Sequence, residues 1–235
     1  TDAGFKGVEF LFPYDYDAEE IARRLNQHGL TQVLFNLPAG DWAAGDRGIS
    51  IFPEAVTEFR AGVARAINYA NILGCSQLHC LAGIASADAD QHTLQKTYVD
   101  NSRFAADALA ETGLTLLIEP INTRDIPGYF LNSTAKASDI IEGLDAPNVG
   151  LQYDIYHMHI MEGHLGPTIE RHLTNIRHVQ IADTPGRHEP GTGEINFPDL
   201  FQHLDHIGYN GWIGLEYKPK TTTHESLAWY RNLNP

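Results

Sequence analysis

The sequence is poor in cysteine and in long hydrophobic runs, and each shortage excludes a class of protein. Its two cysteines, Cys75 and Cys80, are too few for a disulfide framework, and no second pair stands at a spacing typical of a metal site. No apolar run approaches the roughly 18 residues that a membrane-spanning helix requires. The chain does not open with a basic segment followed by an apolar one, as secretory signals do. We therefore expect a cytoplasmic protein with no membrane partner.

Basic residues are also scarce. The chain has 16 Lys and Arg against 30 Asp and Glu, which gives a formal net charge of −14. This charge repels the phosphates of nucleic acids and anionic lipids, so we expect no nucleic-acid partner. The acidic excess has two interpretations, a solubilising surface or a group of carboxylates gathered inside around a cation, and composition does not distinguish them.

What the chain does contain is a series of short apolar runs flanked by turn residues. The seven runs span residues 8–12, 33–37, 78–83, 115–120, 149–157, 178–183 and 212–217. Most are apolar on both faces, which is typical of parallel strands covered by helices. Helical patterns lie between them. The first begins with a capping-box pattern at Asp17 and Glu20, ahead of Ile21 and Leu25, and the others lie near residues 53–74, 91–111, 134–144, 167–174, 198–206 and 225–232. No linker or composition shift interrupts the series.

This alternation predicts a single α/β domain over residues 1–235, folded as a (β/α)8 TIM barrel. Such a barrel needs eight units, and seven are visible. We therefore expect the first β/α unit to precede Thr1 and to be absent from this chain, and the strands at 8–12 and 212–217 not to pair with each other. A doubly wound open sheet is the alternative, although no Gly-rich phosphate-binding fingerprint follows any strand.

Polar residues stand at the ends of four predicted strands: Glu119, Asp154, Gln180 with Asp183, and Glu216. The carboxyl ends of barrel strands form the mouth at which catalysis takes place. Each carboxylate alone could be an ordinary helix cap or a solvated group. Three carboxylates in one mouth, however, repel each other unless a cation or protons neutralise them. Oxygen ligands with one neutral amide favour a hard divalent cation, Mg²⁺ or Mn²⁺, over zinc.

Histidines and one arginine lie close to the same strand ends. His157 follows Asp154 by three residues and would stand beside the metal, where its imidazole could donate to a substrate oxygen. His79 lies in the third run, and we expect His178 to have a structural role. Arg187 belongs to a turn-rich loop long enough to cover the mouth.

Five motifs carry a resemblance to a known family. They are IEPIN (118–122), YDIYHMH (153–159), HVQIAD (178–183), GRHEPGTGEINFPDLF (186–201) and GYNGWIGLEYKP (208–219). They closely resemble the hydroxypyruvate isomerase family of the xylose-isomerase-like barrels, over essentially the whole chain. Related sugar isomerases and epimerases usually have histidine where Gln180 stands, which favours this subfamily over the ketose 3-epimerase branch.

The resemblance implies roles for individual residues. Glu119, Asp154, Gln180 and Glu216 would hold the divalent metal, and Glu119 and Glu216 would also be catalytic. His157 and Arg187 would contact the substrate, with His79 and Lys218 as weaker candidates. These are the substrate-binding and catalytic positions that we carry forward to the structure.

The implied reaction interconverts hydroxypyruvate and tartronate semialdehyde (2-hydroxy-3-oxopropanoate), with proton transfer between two glutamates through an enediolate. A 2-oxo-tetronate isomerase, or another sugar-acid isomerase or epimerase, stays open, as does a lyase or dehydratase using the same metal. A DNA-repair endonuclease is disfavoured by the charge of −14. A catalytically silent sugar-acid binding protein is the non-enzymatic alternative. A homo-oligomer is compatible with the sequence.

Overall fold

The structure, a computed structural model, describes residues 1–233; the last two residues of the predicted 1–235 domain lie outside the described part. The strands are β1 (Gly7–Phe10), β2 (Thr31–Asn36), β3 (Gln77–His79), β4 (Thr115–Ile118), β5 (Val149–Asp154), β6 (Ile176–Ile181) and β7 (Ile213–Leu215). The helices are α1 (Ala18–His28), α2 (Val56–Leu73), α3 (Gln91–Ala110), α4 (Thr134–Leu144), α5 (Ile155–Met161), α6 (Leu165–His172), α7 (Phe197–His206), α8 (Thr223–Ser226) and α9 (Ala228–Leu233). A 3-10 turn, Pro53–Ala55, leads into α2.

The seven strands form one parallel sheet in the order β1-β2-β3-β4-β5-β6-β7. Each strand pairs with the next in sequence, so the sheet curls into a nearly closed barrel with the helices outside, as predicted for a TIM barrel. Among the described residues, β1 pairs only with β2 and β7 only with β6. The predicted absence of pairing between the first and last strands is therefore confirmed.

The predicted runs are longer than the strands, mostly at their carboxyl ends. The clearest correction concerns residues 149–157, where β5 ends at Asp154 and α5 begins at Ile155. The reason is local, because Asp154 Oδ1 accepts a hydrogen bond of 2.8 Å from the backbone N–H of Tyr156 and caps the helix. Sequence patterns merge strand and mouth residues because both are apolar and buried.

The core lies between the barrel and the inner faces of the helices. The buried face of α2 carries Phe59, Val63 and Leu73, at the three- and four-residue spacing expected of an amphipathic helix. Every residue of β5 is buried, since helices cover the outer face and side chains fill the inner one. No helix within residues 1–233 is both long and apolar enough to cross a membrane.

Glu9 links the two ends of the sheet from inside the barrel. This β1 residue lies opposite β6, where its Oε2 is 2.7 Å from His178 Nε2 and its Oε1 accepts a 2.8 Å hydrogen bond from Gln180 Nε2. Gly214 of β7 leaves room for this carboxylate, which a Cβ at that position would strike. His178 is fully buried and paired, in agreement with its predicted structural role.

Candidate active site

The carboxyl-terminal ends of β4 to β7 bring together the polar side chains that the sequence singles out. Glu119 directly follows β4, Asp154 ends β5, Gln180 is the last residue but one of β6, and Glu216 directly follows β7. A cavity of about 250 Å³ opens at this end of the barrel. Its lining includes Glu119, Gln180, Glu216, His79, His157 and Arg187. Six of the eight predicted site residues thus face one cavity.

The other two predicted residues lie close by but in different surroundings. Asp154 is fully buried, and its Oδ2 lies 3.4 Å from Arg187 Nη2 and 3.5 Å from His157 Nε2. Lys218 lines a neighbouring cavity together with Asp125 and Arg187. Arg187 lines both cavities, whereas Lys218 lines only the second. The structure therefore places Lys218 away from the carboxylate cluster.

Glu119 is held largely in its neutral form by its surroundings. Its side chain is only 4% exposed. Burial is the main cause that raises its pKa well above the usual value, and the charges of Asp154 and Glu216 raise it further. The surroundings of Glu119 thus favour the protonated form of its carboxyl group.

Glu216 differs from Glu119 because it stands at the rim. Its side chain is 37% exposed, yet burial of its remaining surface still raises its pKa to about 7. Arg187 opposes this shift, with Nη2 lying 3.0 Å from Glu216 Oε1. The two glutamates therefore have unequal proton affinities, and Glu216 is the one that ionises near neutral pH.

The cluster fits a hard divalent cation. Ligand atoms of Glu119, Asp154 and His157 lie within 4.8 Å of one another. Glu119 Oε1 is buried and has no hydrogen-bond donor among the described residues. A buried carboxylate oxygen without a donor, surrounded by further carboxylates, is an arrangement that a cation satisfies. The structure thus provides a candidate metal centre at the predicted place, with His157 as an additional neighbour.

Gln180 points into the barrel, where a chain of amides fixes its orientation. Its Nε2 donates to Glu9 Oε1, which can only accept, so its Oε1 is turned the other way. Gln152 Nε2 donates to this Oε1 at 2.6 Å. Glu9 thus orients the Gln180 oxygen that the sequence assigns to a metal, and the hydrogen bond from Gln152 leaves the second lone pair of this oxygen for a cation.

The tautomer of His157 is decided by Asn122. The backbone N–H of Asp125 donates to Asn122 Oδ1 at 2.7 Å, so the amide group facing the other way is Nδ2. Asn122 Nδ2 lies 2.6 Å from His157 Nδ1 and 3.1 Å from Asp125 Oδ2. Because Nδ2 can only donate, His157 Nδ1 accepts, and the proton of the neutral ring is on Nε2. His157 thus presents an N–H donor, rather than a metal-ligating lone pair, to the carboxylates.

His79 faces Glu119 from β3. Its Nδ1 lies 3.1 Å from Asn36 Oδ1, and its Nε2 lies 3.5 Å from Glu119 Oε2. Burial lowers the pKa of His79 to about 3, and that of His157 to about 4, so both rings are neutral at physiological pH. The two neutral imidazoles therefore add no positive charge to the site, where Arg187 faces the three carboxyl groups of Glu119, Asp154 and Glu216.

The loop that carries Arg187 is held by Asp183. This fully buried carboxylate accepts hydrogen bonds from the backbone N–H groups of Thr184, Gly191, Gly193 and Ile195, at 2.8–3.1 Å. Asp183 is therefore a structural residue, although its strand-end position resembles that of a ligand. The backbone oxygen of Arg187 also accepts from the N–H of Lys218 at 2.7 Å, which ties the loop to the segment after β7.

Several residues of the site escaped the sequence analysis. Asn122, Gln152 and Glu9 orient predicted residues, and Trp42 and Arg47 line the same cavity. For Gln152 and Glu9 a signal existed, because each is a polar residue within an apolar strand. For Trp42 and Arg47 no local signal exists, because they lie on an irregular loop far from the motifs in sequence.

Comparison with known proteins places this fold and site in a family. A family model described as the xylose isomerase-like TIM barrel matches residues 1–233. The chain belongs to this family. Its fold is similar to that of a solved L-ribulose 3-epimerase, which shares 26% identity with a TM-score of 0.79 over 98% of this chain and 77% of that one.

Much more similar members of the xylose isomerase-like family carry isomerase names. Hydroxypyruvate isomerase from Escherichia coli is 50% identical over 97% of this chain and 89% of its own length. 2-Oxo-tetronate isomerase from Cupriavidus necator is 47% identical over 97% of this chain and 88% of its own length. The resemblance to the hydroxypyruvate isomerase family is confirmed, and the two names occur at similar identity.

A crystal structure entitled AP endonuclease, family 2, from Brucella melitensis has nearly the same fold. It shares 49% identity with this xylose isomerase-like chain and has a TM-score of 0.96, covering 98% of this chain and 89% of that one. The fold predicted from sequence is therefore also that of a solved relative.

Proposed function

We propose that this protein is a divalent-metal-dependent isomerase of small hydroxy and keto acids that interconverts hydroxypyruvate and tartronate semialdehyde. The observation that carries the proposal is the pair Glu119 and Glu216, which stand on nonadjacent strand ends and line one cavity with unequal proton affinities. An aldose–ketose exchange needs one carboxylate that removes a proton from carbon and one carboxyl that returns a proton to the neighbouring carbon. The names of the relatives support the same reaction class.

Each side chain of the site has a separate role in the proposed reaction. Ionised Glu216 removes the proton from C3 of hydroxypyruvate, and the electron pair moves to form an enediolate. Glu119, in its protonated form, delivers a proton to C2, and the hydroxyl proton on O3 passes to O2 so that the aldehyde forms at C3. The proton that Glu216 took up then returns to Glu119 before the next cycle. His157 donates its Nε2–H to a substrate oxygen on which negative charge develops. Arg187, bonded to Asp154 and Glu216, keeps the Glu216 carboxylate in position.

Glu119, Asp154, Glu216 and the Gln180 oxygen would hold Mg²⁺ or Mn²⁺. A divalent cation bound there would neutralise the negative charge that develops on the substrate oxygens. Cytoplasmic location and a small-molecule partner without nucleic acid or membrane complete the proposal.

A second substrate class has specific support. The cavity volume of about 250 Å³ is about eight times the ~30 Å³ that one water molecule takes up in the liquid, and it lies below the usual range for larger ligands. Three-carbon and four-carbon acids both fit such a volume. The relative at 47% identity is named 2-oxo-tetronate isomerase, so a four-carbon 2-oxo acid is the alternative substrate.

The test combines turnover with isotope exchange. Metal-loaded wild type is incubated with hydroxypyruvate and with 2-oxo-tetronate in deuterated water, and isomer formation and deuterium incorporation are followed by NMR. Glu216→Gln keeps an oxygen for coordination but loses the base. It should lower kcat by about 10²- to 10⁴-fold, while calorimetry shows only partly weakened metal binding.

Glu58→Gln, a change of the same type on the exposed face of α2, is the matched control and should retain full activity. Wild-type exchange rates in metal-saturated Glu216→Gln would contradict the assigned base. Absence of turnover with every acid, together with cleavage of DNA at an abasic site, would contradict the isomerase proposal and favour the endonuclease activity for which the Brucella melitensis protein is named.

A further inference from the structure

The cavity also has to bind the carboxylate of the proposed substrates. The acids proposed as substrates carry a carboxylate, but Arg187, which is predicted to contact the substrate, already lies within 3.4 Å of Asp154 and 3.0 Å of Glu216. Lys218 lines a different cavity. Arg187 and the proposed divalent cation are both paired with protein carboxylates, so a further positive group with free donors would favour binding of a substrate carboxylate.

Arg47 is the other arginine that lines this cavity. Its guanidinium lies over the Trp42 ring, 4.0 Å from the ring centre, and its Nη1 donates to the backbone oxygens of Trp42 at 3.2 Å and of Asp46 at 2.7 Å. Among the described residues, no carboxylate lies within ion-pair distance of Arg47, and no acceptor is bonded to its Nη2 or Nε. Its charge is thus unneutralised and its donors are available, in contrast to those of Arg187.

The loop that carries Arg47 is fixed next to this residue. Gly48 has a φ of +111° and packs so closely on the backbone of Leu81 that a Cβ would collide there. Two residues on, Ser50 is fully buried and donates to the backbone oxygen of Leu81 at 2.9 Å, while Asn101 donates to the Ser50 oxygen at 2.9 Å. Arg47 is therefore held on a rigid segment, which lowers the cost of ordering it around a ligand.

We propose that Arg47, backed by the Trp42 ring, binds the carboxylate of the substrate and selects hydroxy and keto acids over neutral sugars. This inference rests on the proposed function, since it names the group that recognises the acid. The planar guanidinium can offer two parallel N–H donors to a carboxylate, and its position over an aromatic ring is typical of arginine in recognition sites. The rest of the substrate would then extend toward Glu119 and Glu216 on the same cavity wall.

The experiment compares an acid with its uncharged amide. Values of kcat/KM are measured for hydroxypyruvate and for its primary amide in wild type, Arg47→Gln and Arg47→Lys. For Arg47→Gln we expect a loss of about 10- to 100-fold with the acid, mainly through KM, and a change of less than about twofold with the amide. Arg47→Lys keeps the charge but not the two parallel N–H donors of the guanidinium, so its loss should be smaller than that of Arg47→Gln.

Arg60→Gln is the matched control. Arg60 is an exposed arginine of α2 whose guanidinium also stacks on an aromatic ring, 4.6 Å from the centre of Phe104, and it does not line the cavity. It should leave both substrates unaffected. Equal losses for acid and amide in Arg47→Gln, or equal effects of the two glutamine variants, would overturn the inference. If circular dichroism shows that Arg47→Gln does not fold, the same comparison of acid and amide is made with Arg47→Lys.

Binding of an unreactive acid separates this inference from the proposed reaction. D-Glycerate and its amide have no ketone or aldehyde group to isomerise, and calorimetry measures their affinity without turnover. Loss of glycerate binding in Arg47→Gln, with the amide unchanged, supports the Arg47 subsite even if no acid is turned over. A wild-type protein that binds glycerate no better than the amide overturns the subsite, whatever its activity.

Discussion

At the scale of single residues, the environment gives identical side chains different roles. Glu119 and Glu216 have the same chemistry, but one is 4% exposed and the other 37%. Burial raises the pKa of both carboxyl groups, that of Glu119 well above its ordinary value and that of Glu216 to about 7. The acid and the base of the proposed reaction are thus distinguished by depth in the barrel rather than by residue type.

Asn122 supplies a prediction at the same scale, because its amide sets the proton position on His157. In Asn122→Asp, a carboxylate oxygen replaces the Nδ2 donor that faces His157 Nδ1. An oxygen there can only accept, so Nδ1 has to acquire a proton. We expect the ¹⁵N resonance of Nδ1 to move from the position of an unprotonated to that of a protonated ring nitrogen. The His157 signals are assigned by their absence from His157→Gln.

The control for this experiment is Asn132→Asp, which adds the same charge at an asparagine that donates to the backbone oxygen of Tyr129 instead. Its His157 spectrum should match that of wild type. A wild-type spectrum in which Nδ1 already carries a proton would contradict the assignment of the tautomer.

At the scale of elements, the segment after β6 depends on one carboxylate. Asp183 accepts four backbone hydrogen bonds from residues 184–195, a stretch rich in glycine and proline. Arg187, in the middle of this segment, has a positive φ of 56°, which a non-glycine residue adopts only when its surroundings hold it there.

We therefore expect Asp183→Ala to lower the free energy of unfolding by about 3 kcal/mol, because it leaves buried N–H donors without acceptors. Urea denaturation measures this loss, and limited proteolysis should show new cleavage within 184–196. Asp139→Ala, on the exposed face of α4, should change neither. Unchanged stability and protease resistance in Asp183→Ala would show that the loop is held by other contacts.

At the scale of the whole molecule, the charge of −14 includes a cluster that costs stability when it ionises. The folded-state pKa of Glu216, about 7, lies above the ordinary value of 4.5. The folded protein therefore binds the proton more tightly than the unfolded chain does. This stabilisation is complete below the unfolded pKa and is lost as the pH rises through the folded one.

The prediction compares wild type with Glu216→Gln after metal removal by a chelator. The free energy of unfolding of wild type, relative to the variant, should fall as the pH rises from about 4.5 to about 7. His79 and His157, whose lowered pKa values of about 3 and about 4 act in the opposite direction, are common to both proteins and cancel in the difference. Urea titrations across this window measure the effect.

A saturating divalent cation should abolish the difference in pH dependence, because the cation takes over the neutralisation of the cluster. Parallel stability curves for the two metal-free proteins would contradict the raised pKa of Glu216.

Sequence patterns were sufficient for the barrel and for the strand-end residues. Apolar runs alternating with amphipathic helices report burial, and the parallel order then requires that the carboxyl ends of the strands share one mouth. Glu119, Asp154, Gln180 and Glu216 could be named for that reason, and the absence of pairing between the first and last strands followed from counting units. Their roles remain proposals, as does the bound metal.

The tertiary structure alone decided which groups act on these residues. Asn122 fixes the tautomer of His157 across 35 positions of sequence, and Glu9 reaches Gln180 across 171. The fold also places Lys218 in a neighbouring cavity, and Arg47 in the cavity that Glu119 and Glu216 line. Secondary structure depends mainly on local periodicity, which can be read directly from a sequence. The pKa of a carboxyl and the direction of a hydrogen bond depend on atoms within a few ångströms in space, and only the closed fold determines which atoms those are.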